Sequence, residues 1–219
     1  MNSKIEIKKE NVIPQYESKF LKVFDLQYAE GRHYYDATRR TKENIMAIKS
    51  DEEIKKALPD AATCALILII KGVPKLLLHY EYRYPIGRYT LSPPAGLVDP
   101  EDKDCANPLV ETAKREIKEE TGVDVTEKDK IYVVNPMLFS SPGMTDESNG
   151  IVCAVLERET IPKLTAEGAE GTESFQDFIL VTLDEAKKLI KDGRDQKGFA
   201  YPTYTWVVLM YFISQMWKE

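Results

Sequence analysis

The chain has 219 residues, of which 43% are hydrophobic and 30% charged, and its formal net charge is −6. That balance supports a buried core and excludes a disordered chain, and the negative charge argues against a nucleic-acid surface as the main function. Cys64, Cys105 and Cys153 are odd in number and widely spaced, and the only histidines are His33 and His79. A zinc-type ligand pair and a histidine-rich metal site are therefore excluded, and a reducing compartment is expected.

The N-terminus lacks a basic-then-apolar signal, and no apolar run approaches the ~18 residues of a membrane span, so a soluble, cytoplasmic protein is expected. Residues 3–40 read as strands. Phe20 to Tyr28 has short-period apolar spacing, Ala29 to Arg32 is a turn, and His33 to Thr38 is the hairpin partner. Tyr28, Tyr34 and Tyr35 read as sheet aromatics. Thr41 to Leu58 is predicted helical, with Ile45, Ile48, Ile54 and Leu58 as its buried side and Pro59 as its exit. Residues 1–58 thus form a β-rich segment with a helix. It is too small for a core of its own, so it is expected to pack on the main domain or on a second subunit.

The main domain is assigned to residues 59–219. Thr63 to Ile70 is a buried strand, Lys71 to Pro74 a turn, and Lys75 to Tyr82 a second strand. Arg83 then stands at a strand end beside Pro85, a placement that suits phosphate binding by the guanidinium fork. Tyr89 to Ser92 is a third strand that runs into the turn Pro93-Pro94-Ala95-Gly96.

The next helix is predicted to start at Asn107, whose side-chain oxygen would cap free N–H groups, with Pro108 at the first helical position. Gly122 is its stop, since glycine takes the left-handed turn without strain. Leu109, Ala113 and Ile117, with Val110 alongside, make an apolar stripe. Glu116 and Glu120 are four apart and point close to that stripe, with Glu119 just to one side. Like charges at this spacing cost a helix roughly 0.2–0.5 kcal/mol, and negative charge late in a helix opposes the macrodipole. A hard divalent cation would offset that cost; the bland alternative is a solvated acidic face.

Beyond the helix, Lys130 to Leu138 is a strand, and Ser140 to Glu147 is a loop whose Pro142-Gly143 turn makes it a candidate substrate loop. Asn149 to Arg158 is a strand, and Thr165 to Ser174 an acidic, glycine-punctuated loop holding Glu167, Glu170 and Glu173. Phe175 to Thr182 is a strand and Leu183 to Asp192 a short helix. Tyr201 to Trp217 is a C-terminal helix with Val207, Met210, Tyr211 and Ser214 on one face. This order predicts a mixed sheet with helices on both faces.

Arg115-Glu116-Ile117-Lys118-Glu119-Glu120-Thr121-Gly122-Val123 resembles the R-E-U-x-E-E-x-G-U half of the Nudix signature, where U is a bulky apolar residue. The first half, G-x5-E-x7, departs: five residues are inserted within Asp99 to Ala106. The pattern's first glutamate lands on Asn107 counted back from Arg115 and on Asp102 counted forward from Gly96, with Glu101 and Asp104 nearby. Three further stretches resemble the ADP-ribose pyrophosphatase branch: Tyr80 to Pro85, Ser92 to Asp99 (serine replacing the usual acid) and Ser141-Pro142-Gly143.

The resemblance implies an α/β/α sandwich with a mixed sheet and a small N-terminal β segment. It also implies hydrolysis of the diphosphate bond of ADP-ribose to AMP and ribose 5-phosphate. Magnesium, with manganese as the alternative, would bind Glu116, Glu120, Glu119 and the Ala95 carbonyl, with Glu116 and Glu120 acting catalytically. Arg83, Gly96, Ser141, Pro142 and Gly143 would contact a nucleoside diphosphate substrate. Glu173 is chosen as the base, Glu170 is the second choice, and Glu167 is also in that loop. Arg115 would anchor the signature loop and Gly122 shape the helix end. The expected assembly is a homodimer, and Tyr28, Tyr34 and Tyr35 have stacking on an adenine ring as a second reading. Hydrolysis of another nucleotide sugar, or non-catalytic nucleotide binding, are the alternatives.

Overall fold

The computed structural model describes residues 5–169 and 171–219. The chain divides into two compact units. The first takes the chain up to Pro59 together with Met137–Ser148, and the second takes Asp60–Pro136 and Asn149–Glu219. This division falls after Pro59, whereas the sequence reading divides the chain after residue 58. Residues 137–148, however, fall in the first unit rather than in the main domain.

The first unit is built on a three-stranded antiparallel sheet in the order β1 (Val12–Glu17), β2 (Lys22–Ala29), β3 (Arg32–Thr38). Val12, Phe24, Leu26 and Ile45 form its small core, with Ile7 and Ile48 against it. The long helix expected over residues 41–58 is not formed. One turn of 3-10 helix at Met46–Ile48 and a six-residue helix, α1 (Asp51–Lys56), stand there instead. One long-range bond and one local cap explain the break. The Met46 N–H donates to the Asp146 carboxylate (2.9 Å), and Ser50 caps α1 reciprocally with Glu53, so the helix starts late. Leu58, expected to be buried, is exposed.

The second unit is a seven-stranded mixed sheet. Its main path runs β10 (Phe175–Val181), β5 (Val73–Arg83), β4 (Ala61–Ile70), β9 (Ser148–Arg158) and β8 (Lys130–Phe139); β6 (Arg88–Ser92) pairs with β5 and β7 (Ala95–Leu97) with β4. Strands β4 and β9 run parallel. The period of two along the strands sorts side chains onto two faces. Ala62, Cys64, Leu66 and Leu68 of β4 join Val152, Ala154 and Leu156 of β9 in one core, which takes Leu109, Ala113 and Ile117 of α3 (Pro108–Thr121). Ala65 and Ile67, with Leu76, Leu78 and Tyr80 of β5, belong to the opposite core. That core is completed by Ala186 and Leu189 of α4 (Leu183–Asp192) and by Val208, Leu209 and Phe212 of α5 (Thr203–Ser214). Helices thus cover both faces of a mixed sheet.

Three local readings are corrected by the structure. Asn107 does occupy the position before α3, but its side chain makes no cap; its backbone carbonyl accepts the Val110 and Glu111 N–H groups instead. The inserted loop contains a one-turn helix, α2 (Pro100–Lys103). The C-terminal helix buries Thr205, Val208, Leu209 and Phe212 rather than the face centred on Val207 and Met210, and Gln215 ends it in a left-handed conformation, leaving a separate turn at Met216–Lys218. The buried face is selected by a polar anchor, the Thr205 hydroxyl donating to the Leu91 carbonyl at 2.9 Å.

Candidate functional site

The site of the second unit is set by α3 and the β6–β7 turn. The α3 stripe holds the helix on the sheet, and Glu116 and Glu120 share its edge, so both carboxylates are carried inward: Glu116 is 5% exposed and Glu120 2%. Glu119 is partly buried. The helix stops at Gly122, whose φ of +72° is the left-handed turn a side chain would strain. The turn comes close to both carboxylates. The Ala95 N–H donates to Glu120 Oε2 at 3.0 Å. A Cβ on Gly96 would lie only 1.8 Å from Glu116 Oε1, so glycine is what lets the Glu116 carboxylate reach the backbone.

Arg115 ties the region together. Its Nη1 donates to Glu116 Oε1 (2.7 Å) and Glu119 Oε2 (3.0 Å), and its Nη2 to the Leu97 carbonyl (2.9 Å) and Asp102 Oδ2 (3.2 Å), with Asp99 at 3.1 Å. Asp102 also accepts from the Thr112 hydroxyl at 2.9 Å and from the Asp99 N–H at 3.2 Å. Counting forward from Gly96 therefore reaches the acid that meets Arg115, while counting back reaches the residue before the helix.

Strand β5 supplies residues that the sequence reading passed over. Leu77 points into the α3 core, so its period-two neighbours His79, Glu81 and Arg83 stand on that same face. Arg83, expected at a strand end, is there, with its Nη2 2.6 Å from Glu81 Oε2. Glu81 is buried, and His79 is fully buried with its Nε2 3.9 Å from Glu120 Oε2. Stepping back by twos from Arg83 would have found both. Neither His79 ring nitrogen has a hydrogen-bond partner among the described residues. An imidazole buried in that way costs roughly 1–3 kcal/mol.

The electrostatics are those of crowded acids. Burial is the main cause that pushes Glu116 up to about 7; Arg115 pulls it back, and Glu119 and Glu173 push it further. Burial likewise raises Glu81 to about 7 against the pull of Arg83, with Glu173 adding to it. Glu120 is held well above the carboxylate range by burial, then by Glu116 and Glu81, with the Ala95 N–H opposing and Glu173 adding. Burial, and then Arg83, lowers His79 to about 3, so its ring is uncharged.

Glu173 is therefore within electrostatic reach of the cluster. Its loop is tied back by the Tyr82 N–H to the Ser174 carbonyl (2.9 Å) and by Tyr89 to Ser174 (2.8 Å). Glu167 lies in a turn of the same loop, and Glu170 lies outside the described residues.

Among the described residues no three acidic, cysteine or histidine side chains converge as a ready-made metal cage; Arg115 spans Glu116 and Glu119 instead. The donor set nonetheless fits a hard divalent cation. Glu116, Glu119, Glu120 and the Ala95 carbonyl offer only oxygen, and burial raises the Glu116 and Glu120 pKa values, a cost that a cation would offset.

The expected substrate-loop residues belong to the first unit. The Tyr34 hydroxyl donates to the Gly143 carbonyl at 2.8 Å, and Ser141 opens the turn by accepting the Met144 and Thr145 N–H groups. Pro142 lines an open cavity of about 270 Å³ with Tyr34, Tyr35, Asp36 and Asp146.

Comparison with known proteins bears on this arrangement. The family model described as the NUDIX domain matches residues 60–202. An uncharacterized Nudix hydrolase of Schizosaccharomyces pombe is 30% identical over 145 residues, 64% of either chain. An ADP-ribose pyrophosphatase of Saccharomyces cerevisiae is 32% identical over 130 residues, 57% of this chain and 50% of that one. The chain spans less than two thirds of the length of the curated relatives it matches. A solved structure of an ADP compounds hydrolase has a TM-score of 0.56 at 19% identity, covering 99% of this chain and 96% of that one, which shows a common fold. With its NUDIX domain at residues 60–202, the chain belongs to the Nudix family.

Proposed function

We propose that the protein is a divalent-metal-dependent hydrolase that cleaves the diphosphate bond of ADP-ribose to give AMP and ribose 5-phosphate, with magnesium as the metal and manganese as the alternative. The observation that carries the reading is the pair of buried carboxylates, Glu116 and Glu120, drawn onto the Ala95-Gly96 backbone. Acids so crowded are unfavourable unless a cation compensates them. The preference for ADP-ribose rests on the stretches around Arg83, Ser92 to Asp99 and Ser141 to Gly143, and on the similarity to the yeast ADP-ribose pyrophosphatase.

In this reading Glu116, Glu120 and Glu119 would hold the metal with the Ala95 carbonyl. A bound divalent ion supplies charge neutralisation at the diphosphate and a lowered pKa for the attacking water. Arg83, oriented by Glu81, holds a phosphate or the terminal ribose side. Glu173 takes the proton of the water as its oxygen bonds to one phosphorus and the bridging oxygen leaves with the other phosphoryl group. Gly96 contacts substrate, and Arg115 holds the β7–α3 connection in place. We assign the protein to the cytoplasm as a homodimer. The support is three free cysteines, no helix among the described residues long and apolar enough to cross a membrane, and exposed Tyr16, Trp206 and Met216. Light scattering at the monomer mass would refute the dimer.

The test is release of AMP from ADP-ribose with magnesium and with chelator, beside a panel of nucleotide sugars. Magnesium-dependent AMP release, strongest with ADP-ribose, supports the proposal. Stronger turnover of another nucleotide sugar keeps the site and discards the substrate. The buried Ser92, where the branch carries an acid, is the feature that favours this second reading.

A further inference from the structure

We infer that His79 is a positioning residue for the metal site: an imidazole whose Nε2 stands 3.9 Å from Glu120 Oε2 and donates to that carboxylate when it takes up the cation. The inference rests on the proposed metal-dependent reading. His79 is fully buried on the α3-facing side of β5, where its preceding period-two neighbour is Leu77. An apolar residue would be at home there. Phe175 stands 4.6 Å from the ring, centroid to centroid, and Phe178 6.5 Å, so two sides of the imidazole face aromatic carbon. Neither ring nitrogen has a partner among the described residues, and the carboxylate 3.9 Å from Nε2 belongs to Glu120.

Glu120 Oε2 already accepts the Ala95 N–H at 3.0 Å. Closing the 3.9 Å gap when the cation binds would put a second donor on the same oxygen, fix the carboxylate plane and leave Oε1 for the cation. Groups that hold a ligating carboxylate in this way typically contribute 10–100-fold in metal affinity. The Nε2–H tautomer is required with the cation in place, because Glu120 is then a carboxylate and a bare Nε2 lone pair would face an anionic oxygen.

Manganese binding to the full-length protein, read from the free Mn²⁺ spectrum, tests the inference without turnover. His79→Leu is expected to weaken binding about 10–100-fold, and His79→Gln, which keeps an N–H donor, to stay within about threefold of the parent. The metal-free His79→Leu protein is expected to melt at or above the parent temperature, since it removes a buried polar group; a merely packing role would instead lower the melting temperature and leave Mn²⁺ affinity unchanged. Nitrogen-15 NMR of the unmutated protein with Mg²⁺ should show the Nε2–H tautomer at the signal that His79→Leu removes. Unaltered Mn²⁺ affinity in His79→Leu, or an Nδ1–H tautomer, overturns this inference alone. Absence of Mn²⁺ binding by the parent overturns the metal reading and this inference with it.

Discussion

Replacing Gly96 by alanine separates stability from function at this site. The new Cβ would stand 1.8 Å from Glu116 Oε1, 2.0 Å from Cδ and 2.4 Å from Oε2. The carboxylate must therefore withdraw until Oε1 is at least 3.0 Å away, a shift of about 1.2 Å. The obstructing atoms are the far end of a flexible side chain, so the fold can yield cheaply, by about 1 kcal/mol or less on the scale of a modest rotamer adjustment. The catalytic cost is larger, because a misplacement near 1 Å can cost about 10²-fold. The contact at 2.7 Å from Arg115 Nη1 to the same oxygen is also lost or redirected. Thermal melting together with magnesium-dependent turnover of ADP-ribose checks both halves. Turnover within threefold of the parent would refute the reasoning, because Glu116 would then tolerate a displacement that a metal ligand cannot. A collapse of the fold would refute it from the other side.

Glu120→Gln is expected to reduce turnover by at least about 10³-fold while raising the metal-free melting temperature, because it removes the charge that burial, Glu116 and Glu81 disfavour; near-normal turnover would sink the metal assignment. Asp36 of the first unit is raised to about 6 by burial and then by Asp146. Its folded pKa exceeds its unfolded value, so the folded state binds more protons between pH ~4 and ~6 and the associated stability is lost as pH rises through that window. Asp36→Asn should flatten that part of the stability–pH curve in denaturant titrations at a series of pH values, and an unchanged slope would count against the buried-carboxyl account. Asp102→Ala leaves Thr112 and one arm of Arg115 short of an acceptor. It should cost about 1–3 kcal/mol in urea unfolding, with a smaller effect on turnover because Leu97 and Asp99 still hold Arg115.

Much of this organisation is written in the sequence at the scale of single elements. Asn107-Pro108 and Gly122 bracket α3 because a proline start and a glycine stop are local chemistry, and Leu109, Ala113 and Ile117 recur at the helical period. The strands β4 and β9 announce themselves as apolar runs. What escaped notice depended on partners far along the chain. The region 41–58 has helical composition, yet Met46 is claimed by Asp146, one hundred residues on. The C-terminal helix is apolar almost all round, so its pattern could not say which side is buried; the Leu91 carbonyl decides that through Thr205. His79 and Glu81 were concealed by their surroundings, since β5 reads as a buried apolar strand and only the face shared with Arg83 distinguishes them. The inserted residues between Gly96 and Arg115 blurred the spacing of the motif, although the contact between Asp102 and Arg115 survives the insertion.

The division of the chain has a consequence for how the protein is made. The first unit contains the N-terminal segment and Met137–Ser148, which is an excursion from the middle of the second unit's sequence. Three of its internal bonds need that excursion: Met46 N–H to Asp146, Asp146 N–H to Asp36, and Ala37 N–H to the Met144 carbonyl. A chain made only as far as residue 60 has the three strands but none of these fasteners. The first unit therefore cannot be completed until residue 148 has been made. For the same reason a shortened protein starting at residue 60 would carry an orphaned hairpin tip, with Phe139, Met144 and Asp146 stripped of their neighbours.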